Sequence, residues 1–422
     1  MAEAIRHTRL DSGIRVVTEA MPDAHSVTIG FWVDAGSRDE DPAVAGVSHF
    51  LEHLLFKGTE TWSAQEIAEA VEAVGGEMNA FTTKEYTAYY TRLLHTDVEL
   101  GLDILSEIMW APAFRADEIE AERQVILEEI LMHEDEPSDL VHDQFTEALY
   151  PDHPLGREVL GDAKTVGAMA RDQIRDYFGA RYLPASIVFA AAGNLDHDAI
   201  VKGVERRYGQ LTADGNGLGP VPVRTPAEPA PPQRLFVADR PTEQAHLVVG
   251  MSALARDDDD RFALSVLNQV LGGGMSSRLF QEIRERRGLA YSVYSYRSAF
   301  LETGMMAVYA GTAPARAHEV LRLVNDELDR IADGVTDHEL RVAKGHIKGS
   351  LALGLEDSGG RMTRIGRSEL VHGAVMPFDE LVARTEAVGH DDLARVIERI
   401  WPNPRVTAVI GPFAEDAFAA YA

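Results

Sequence analysis

The sequence predicts an α+β fold made of two homologous, sandwich-like α/β domains, each a mixed or antiparallel sheet with helices packed on one face. Three observations carry this. Short β-branched, apolar runs alternate with long helical stretches along the chain. A Gly/Pro tract without periodicity, 214–233, interrupts that alternation. The elements after the tract then follow the order of those before it. At 422 residues the chain exceeds one ordinary core, so two domains are expected, 1–213 and 234–422, joined by the tract.

The elements of the first half follow from local patterns. Residues 14–19 and 26–35 read as strands, the second through its run Val27-Thr28-Ile29-Gly30-Phe31-Trp32-Val33. A polar loop, 36–42, leads into a helix that carries His49 and His53. Ser63 with Glu66 three residues on is a capping box for a helix over 64–74, which Gly75 and Gly76 end. Residues 77–83 and 86–90 form a hairpin, and long helices follow over 97–109 and 116–133. The pattern stays helical from 137 to 182, broken by the turn at 151–156. Ser186 to Asn194 is an apolar strand, with a helix over 198–208 after it.

In the second half, strands are expected at 234–238 and 245–251. A helix over 261–271 stands in the place of the His49–His53 helix. A further helix from Ser276 to Arg286 matches the one after Ser63, and the strand at 404–411 matches 185–193. A shift of 214 sets Leu267 opposite His53, and a local shift of 221 sets Ser350 opposite Glu129. The repeat keeps the pattern of elements and lacks the histidine and the glutamate. Asp257 to Asp260 reads as a solvated loop at a helix entry. The glycines at 272–274 lack a following lysine, so they read as a turn or a substrate-contact loop and not as a phosphate loop.

Composition narrows the function. A formal net charge of -28 argues against a nucleic-acid binder, whose affinity comes from neutralising phosphates, and favours cationic partners such as basic peptides. The chain has no cysteine, which removes disulfides, thiol nucleophiles and thiolate metal sites; any metal must sit on His and carboxylates. No apolar run approaches membrane-spanning length and the first residues lack a signal-like apolar core, so a cytoplasmic protein without membrane contact is expected.

The motif with chemistry is His49-Phe50-Leu51-Glu52-His53. On a helix, His49 and His53 lie one turn apart on one face and Glu52 projects toward the same side. Two imidazoles beside a carboxylate suit a divalent metal with a water and a base to deprotonate it. The order is H-x-x-E-H, the inverse of the commoner H-E-x-x-H. An open zinc site takes three protein ligands, and the candidates for the third lie in Glu118 to Ile130. There, Glu122 and Glu129 share a helix face, and Glu128 points about 100° away from Glu129.

His49, Glu52 and His53 with Glu129 76 residues beyond resemble the pitrilysin-type (M16) zinc peptidases. The likeness is to the subfamily of the mitochondrial processing peptidase β-subunit and its bacterial single-chain relatives, and it covers nearly the whole chain. It implies that His49, His53 and Glu129 hold one Zn2+ per chain and that Glu52 is the catalytic base. Glu122 would orient a ligand histidine. Arg284 and Tyr291, in Arg284-Glu285-Arg286-Arg287-Gly288-Leu289-Ala290-Tyr291, match the family's arginine–tyrosine motif and would steady the substrate carbonyl or oxyanion. Asn79, Ala80 and Phe81 match an edge strand that takes peptide by β-augmentation. The resemblance further implies a clam-shell half formed by the two domains, a homodimer enclosing a chamber, and a zinc endopeptidase acting on peptides or unfolded segments. Two alternatives stay open: a non-catalytic peptide-binding or assembly subunit of the same fold, and a processing-peptidase subunit that needs a partner chain.

Overall fold

The computed structural model describes residues 5–211, 221–227 and 229–421. Much of the expected linker, 214–220 and 228, lies outside the described residues. Eleven strands are described: β1 Ile5–Arg9, β2 Arg15–Ala20, β3 Ser26–Val33, β4 Glu77–Thr82, β5 Thr87–Leu94, β6 Ile187–Gly193, β7 Leu235–Asp239, β8 Ala245–Ala253, β9 Ala290–Ala299, β10 Gly304–Thr312 and β11 Val406–Gly411. The helices of the first half are α1 Val47–Leu54, α2 Ala64–Ala73, α3 Val98–Trp110, α4 Ala116–Glu134, α5 Pro137–Leu149, α6 Ala163–Ala168, α7 Arg171–Arg181 and α8 His197–Leu211. Those of the second are α9 Arg261–Gly272, α10 Ala317–Ala332, α11 Asp337–Gly354, α12 Ser358–His372, α13 Phe378–Ala387 and α14 His390–Ile400.

The chain forms two compact units that interleave in sequence. The first is 1–130, 158–224 and 352–377; the second is 131–157, 225–351 and 378–422. A division at the 214–233 tract is therefore not the division into compact units, because each unit borrows a helical segment from the other half of the chain.

The first unit holds a sheet in the order β1-β2-β6-β3-β5-β4. Only β2 and β6 run parallel; the other neighbours are antiparallel. One face carries Ile29, Phe31, Phe189 and Ala191, packed with Phe50 and Leu51 of α1, Leu102 and Leu105 of α3, and Val204 of α8. The other face carries Val17, Trp32, Val188 and Ala190, covered by Met362, Ile365 and Leu370 of α12. Gly366 lies flat against the Trp32 indole, where any Cβ would collide with the ring.

The sheet of the second unit, β7-β11-β8-β10-β9, repeats this topology without a counterpart of β1. Here β7 and β11 are the parallel pair, and β11–β8, β8–β10 and β10–β9 are antiparallel. Leu247, Val249 and Met251 pack on α9, α10 and α14, while Val248, Ala408 and Ile410 pack on α5 through Val141 and Phe145.

Two homologous α/β units with mixed sheets are thus present, as expected, with one correction: helices cover both faces of each sheet. The apolar runs of β3, broken only by Thr28, and of β6, whose residues from Val27 to Val33 and from Ile187 to Gly193 are all buried, are the pattern of strands covered on both faces. There are two smaller differences. The helix expected from Ser276 to Arg286 spans 278–285, α-helical at its first two residues and π-helical over Phe280–Glu285. Within the aspartate run, Asp258 and Asp260 are not solvated but pair with Arg395 and Arg399 of α14 at 2.5–2.7 Å.

Candidate metal centre

Helix α1 opens on Gly46 at φ 94°, a left-handed turn that glycine adopts without strain. Its inner face, Val47, Phe50, Leu51 and Leu54, is buried against the sheet. That packing fixes the rotation of the helix and sets His49, Glu52 and His53 along its other side. Opposite, α4 buries Ile119, Ile126 and Ile130. Arg123 anchors α4 by bonding to the carbonyls of Val166 and Met169, and its guanidinium lies 5.4 Å from the centre of the Phe50 ring.

The two helices bring three donors together. Nε2 of His49 is 3.7 Å and Nε2 of His53 is 3.5 Å from Oε2 of Glu129. The imidazole centroids are 4.6 Å apart. Ligands about 2.0–2.1 Å from a tetrahedral zinc lie about 3.4 Å from one another, so the spacing fits a zinc ion with little movement. His49, His53 and Glu129 form one of the groups of donor atoms among the described residues that lie within 4.8 Å of one another. Glu129 is partly open to solvent, which leaves a side free for water and substrate, whereas Glu128 faces outward on the exposed side of α4.

The surroundings set the donors' protonation. Nδ1 of His53 is 2.7 Å from Oε1 of the buried Glu122, so it carries the proton there and turns Nε2 toward Glu129 as a lone-pair donor. The other Glu122 oxygen is 2.6 Å from Nζ of Lys57. Burial alone would push the Glu122 carboxyl up; hydrogen bonds from His53 and Lys57 outweigh it and bring the carboxyl below its usual range. Burial, helped by His53, lowers the His49 pKa to about 4, which favours the neutral imidazole that metals bind. Burial also disfavours charge on His53, but Glu122 and Glu129 prevail and its pKa is raised. His49 Nδ1 is buried without a hydrogen-bond partner among the described residues.

Glu52 sits beside this group, against the end of β4. Burial raises its carboxyl pKa, with Thr82 and His53 pulling the other way. That upward shift is in the direction a general acid–base group needs.

The remaining sequence candidates are placed as follows. Strand β4 is one of the two edges of its sheet, bonded only to β5. The Asn79 carboxamide oxygen accepts from the amide of Ala80 at 2.8 Å. Ala80 turns into the core on the α1 side, whereas Phe81 packs on the reverse face against Trp32, Tyr86 and Tyr90. Phe81 therefore offers the edge its backbone and not its ring. Arg284 and Tyr291 belong to the second unit. The Arg284 guanidinium stacks over the rings of Phe280 at 4.7 Å and Tyr291 at 4.6 Å, and Tyr291 is 78% exposed. Gly288, at φ 60°, reverses the chain and returns Tyr291 over the helical turn that carries Arg284.

Lys57 and Thr82 did not stand out in the sequence. The signal for Lys57 was its spacing: four residues after His53 on the same helical face, within reach of any carboxylate bound to that histidine. Thr82 had no such signal, because its neighbour Glu52 lies across the sheet–helix interface.

Both halves of the chain are similar to known proteins. Residues 15–163 match the family described as Insulinase (Peptidase family M16), and residues 168–345 match its partner, Peptidase M16 inactive domain. A protein of Streptomyces coelicolor, named an uncharacterized zinc protease, is 47% identical over 97% of this chain and 90% of its own length. One from Bacillus subtilis with the same description is 39% identical over 97% of this chain and 98% of its own. Two solved structures share the fold with a TM-score of 0.89 at 22% identity: a peptidase M16 inactive domain from Pseudomonas fluorescens, covering 97% of this chain and 98% of that one, and a protease from Helicobacter pylori, covering 98% and 100%. By the family match over both halves and the identity of its relatives, the chain belongs to peptidase family M16.

Proposed function

We propose that the chain is a zinc-dependent endopeptidase that cleaves peptides or unfolded segments, basic ones among them. The observation that carries this is the convergence of His49 Nε2, His53 Nε2 and Glu129 Oε2, with Glu122 fixing the far nitrogen of His53. These three side chains would hold a zinc ion, which would supply a Lewis acid for the scissile carbonyl and make water more acidic. Glu52 takes the proton from the attacking water and later gives it to the leaving amine. Strand β4, the free edge beside Glu52, offers its outward backbone groups to an extended peptide, with Asn79 hydrogen-bonding the substrate backbone. On the sequence motif alone, Arg284 and Tyr291 would steady the substrate carbonyl or the oxyanion. The relatives named zinc proteases support the same reading.

One zinc per chain, a cytoplasmic location and a homodimer that encloses the substrate complete the proposal. Among the described residues no helix is long and apolar enough to cross a membrane. The test is hydrolysis of a mixed peptide library by the purified chain, with and without a zinc chelator. Cleavage that chelator abolishes and added zinc restores is the expected result. Stoichiometric zinc without cleavage would point instead to a subunit that needs a partner chain, and neither zinc nor cleavage to a peptide-binding or assembly protein.

A further inference from the structure

Helix α1 has no capping side chain of its own. Its N-cap is Gly46, held left-handed where a Cβ would meet the Leu160 carbonyl, so the usual Ser, Thr or Asp cannot stand there. The orphan amides of the first turn find a carboxylate from outside the helix. Glu40 Oε2 accepts from the Gly46 amide and Oε1 from the Ser48 amide, each at 2.8 Å. Glu40 is 5% exposed. An anion at the N-terminus of a helix is favoured by the dipole, and charge-assisted bonds to two amides fix direction as well as distance. Ser48, next to the donor His49, is held a second time: its hydroxyl is 2.8 Å from Tyr177 of α7, and Tyr177 donates to the carbonyl of Gly36 at 3.4 Å.

The same loop is tied on its other side to the hairpin of the edge strand. The Ser37 amide donates to the Thr83 carbonyl at 3.1 Å and the Arg38 amide to the Lys84 carbonyl at 2.9 Å, while the Arg38 side chain pairs with Glu85. Gly36 lies so close to the Thr83 carbonyl that no side chain fits. Arg224 locks the loop from behind by bonding Asp34 at 2.6 Å, Asp39 at 2.7 Å and the Glu85 carbonyl. One rigid connection thus runs from the β4–β5 turn through residues 36–40 to the first turn of α1.

We infer that Glu40 is a positioning residue: it sets the helix carrying His49, Glu52 and His53 in register with edge strand β4, so that metal donors, base and peptide edge keep one geometry. This rests on the proposed reading of His49, His53 and Glu129 as metal ligands. Only a carboxylate can accept from both amides at once. In Glu40→Gln one oxygen remains and an NH2 group faces the other donor.

The test compares Glu40→Gln with Arg207→Gln, which removes the pairing of the buried Arg207 of α8 with the exposed Glu99 and Asp103 in the same unit, and with His53→Gln. Zinc affinity is read by competition with a chelator, geometry by the d–d spectrum of the cobalt(II) protein, and turnover as kcat and KM. Glu40→Gln is expected to hold zinc ten- to a hundredfold less tightly, roughly the range for outer-shell partners of metal ligands, to alter the cobalt spectrum, and to lower kcat. Arg207→Gln is expected to lower only the melting temperature. If Glu40→Gln melts as low as Arg207→Gln but keeps parental zinc affinity and spectrum while His53→Gln loses zinc, Glu40 has no positioning role. If His53→Gln itself keeps parental affinity, the ligand reading fails and this inference with it. Should Glu40→Gln not fold, Glu40→Asp, with the same charge one methylene shorter, gives the same comparison.

Discussion

Helices α1 and α9 stand at the same place in two sheets of the same topology, and they share almost nothing chemically. With the shift of 214 residues, His49, Glu52 and His53 of α1 fall opposite Ala263, Val266 and Leu267 of α9, all buried in the core of the second unit. The same holds for the helices that follow: with the shift of 221, Glu122 and Glu129 of α4 fall opposite Ala343, also buried, and Ser350 of α11. Where α4 turns acidic residues toward the histidines, α11 uses Glu339 to pair with Arg278 at 2.6 Å, which holds that carboxyl down at about 2. The fold supplies a helix lying over a sheet beside an edge strand, and the side chains of that helix decide whether the place gathers donors that could hold a metal or becomes more core.

The contrast can be sharpened by moving side chains between the two places. The largest effect is expected at Glu52, whose counterpart is an inert valine. Glu52→Gln should keep zinc and lose turnover by roughly a hundred- to ten-thousandfold, the usual worth of a positioned acid–base group; steady-state rates beside zinc content check it. Placing a histidine in the second unit should do the reverse. Leu267→His puts an unpartnered polar ring into a closed core and should cost on the order of 3 kcal/mol, read as a lower denaturant midpoint, with no zinc gained. A smaller effect is expected at Glu122. Glu122→Gln keeps a hydrogen-bond acceptor but loses the charge that faces both His53 and Lys57, and zinc affinity should fall by about ten- to a hundredfold. An unchanged affinity would return Glu122 to the role of a buried ion-pair partner of Lys57.

Much of this was legible in the sequence because its causes are local. The capping box at Ser63 and Glu66 forms as the spacing requires, and the i, i+4 spacing of His49 and His53 needs only a helix to put both rings on one side. Glu129 was harder, since it depends on the rotation of α4, which Ile119, Ile126 and Ile130 set by burial. What escaped comes from contacts between elements far apart in the chain. The cover of Trp32 by α12 joins residues 330 apart, and no pattern in β3 names the helix that will bury it. Glu40 lies six residues ahead of the helix cap it serves, where rules for capping residues do not look. The peptide edge was only half legible. The resemblance put Asn79, Ala80 and Phe81 together on an edge strand, but only the packing of Phe81 on Trp32, Tyr86 and Tyr90 shows that its ring belongs to the sheet's reverse side.

The claim that α1 and α4 together make a zinc site is tested most directly by measuring bound zinc in three purified chains: the parent, Glu129→Gln and Glu128→Gln. The two glutamates are neighbours with the same chemistry, and only Glu129 reaches the histidines. Stoichiometric zinc in the parent and in Glu128→Gln, with its loss in Glu129→Gln, is the predicted result. Zinc retained by Glu129→Gln and lost from Glu128→Gln would contradict the account.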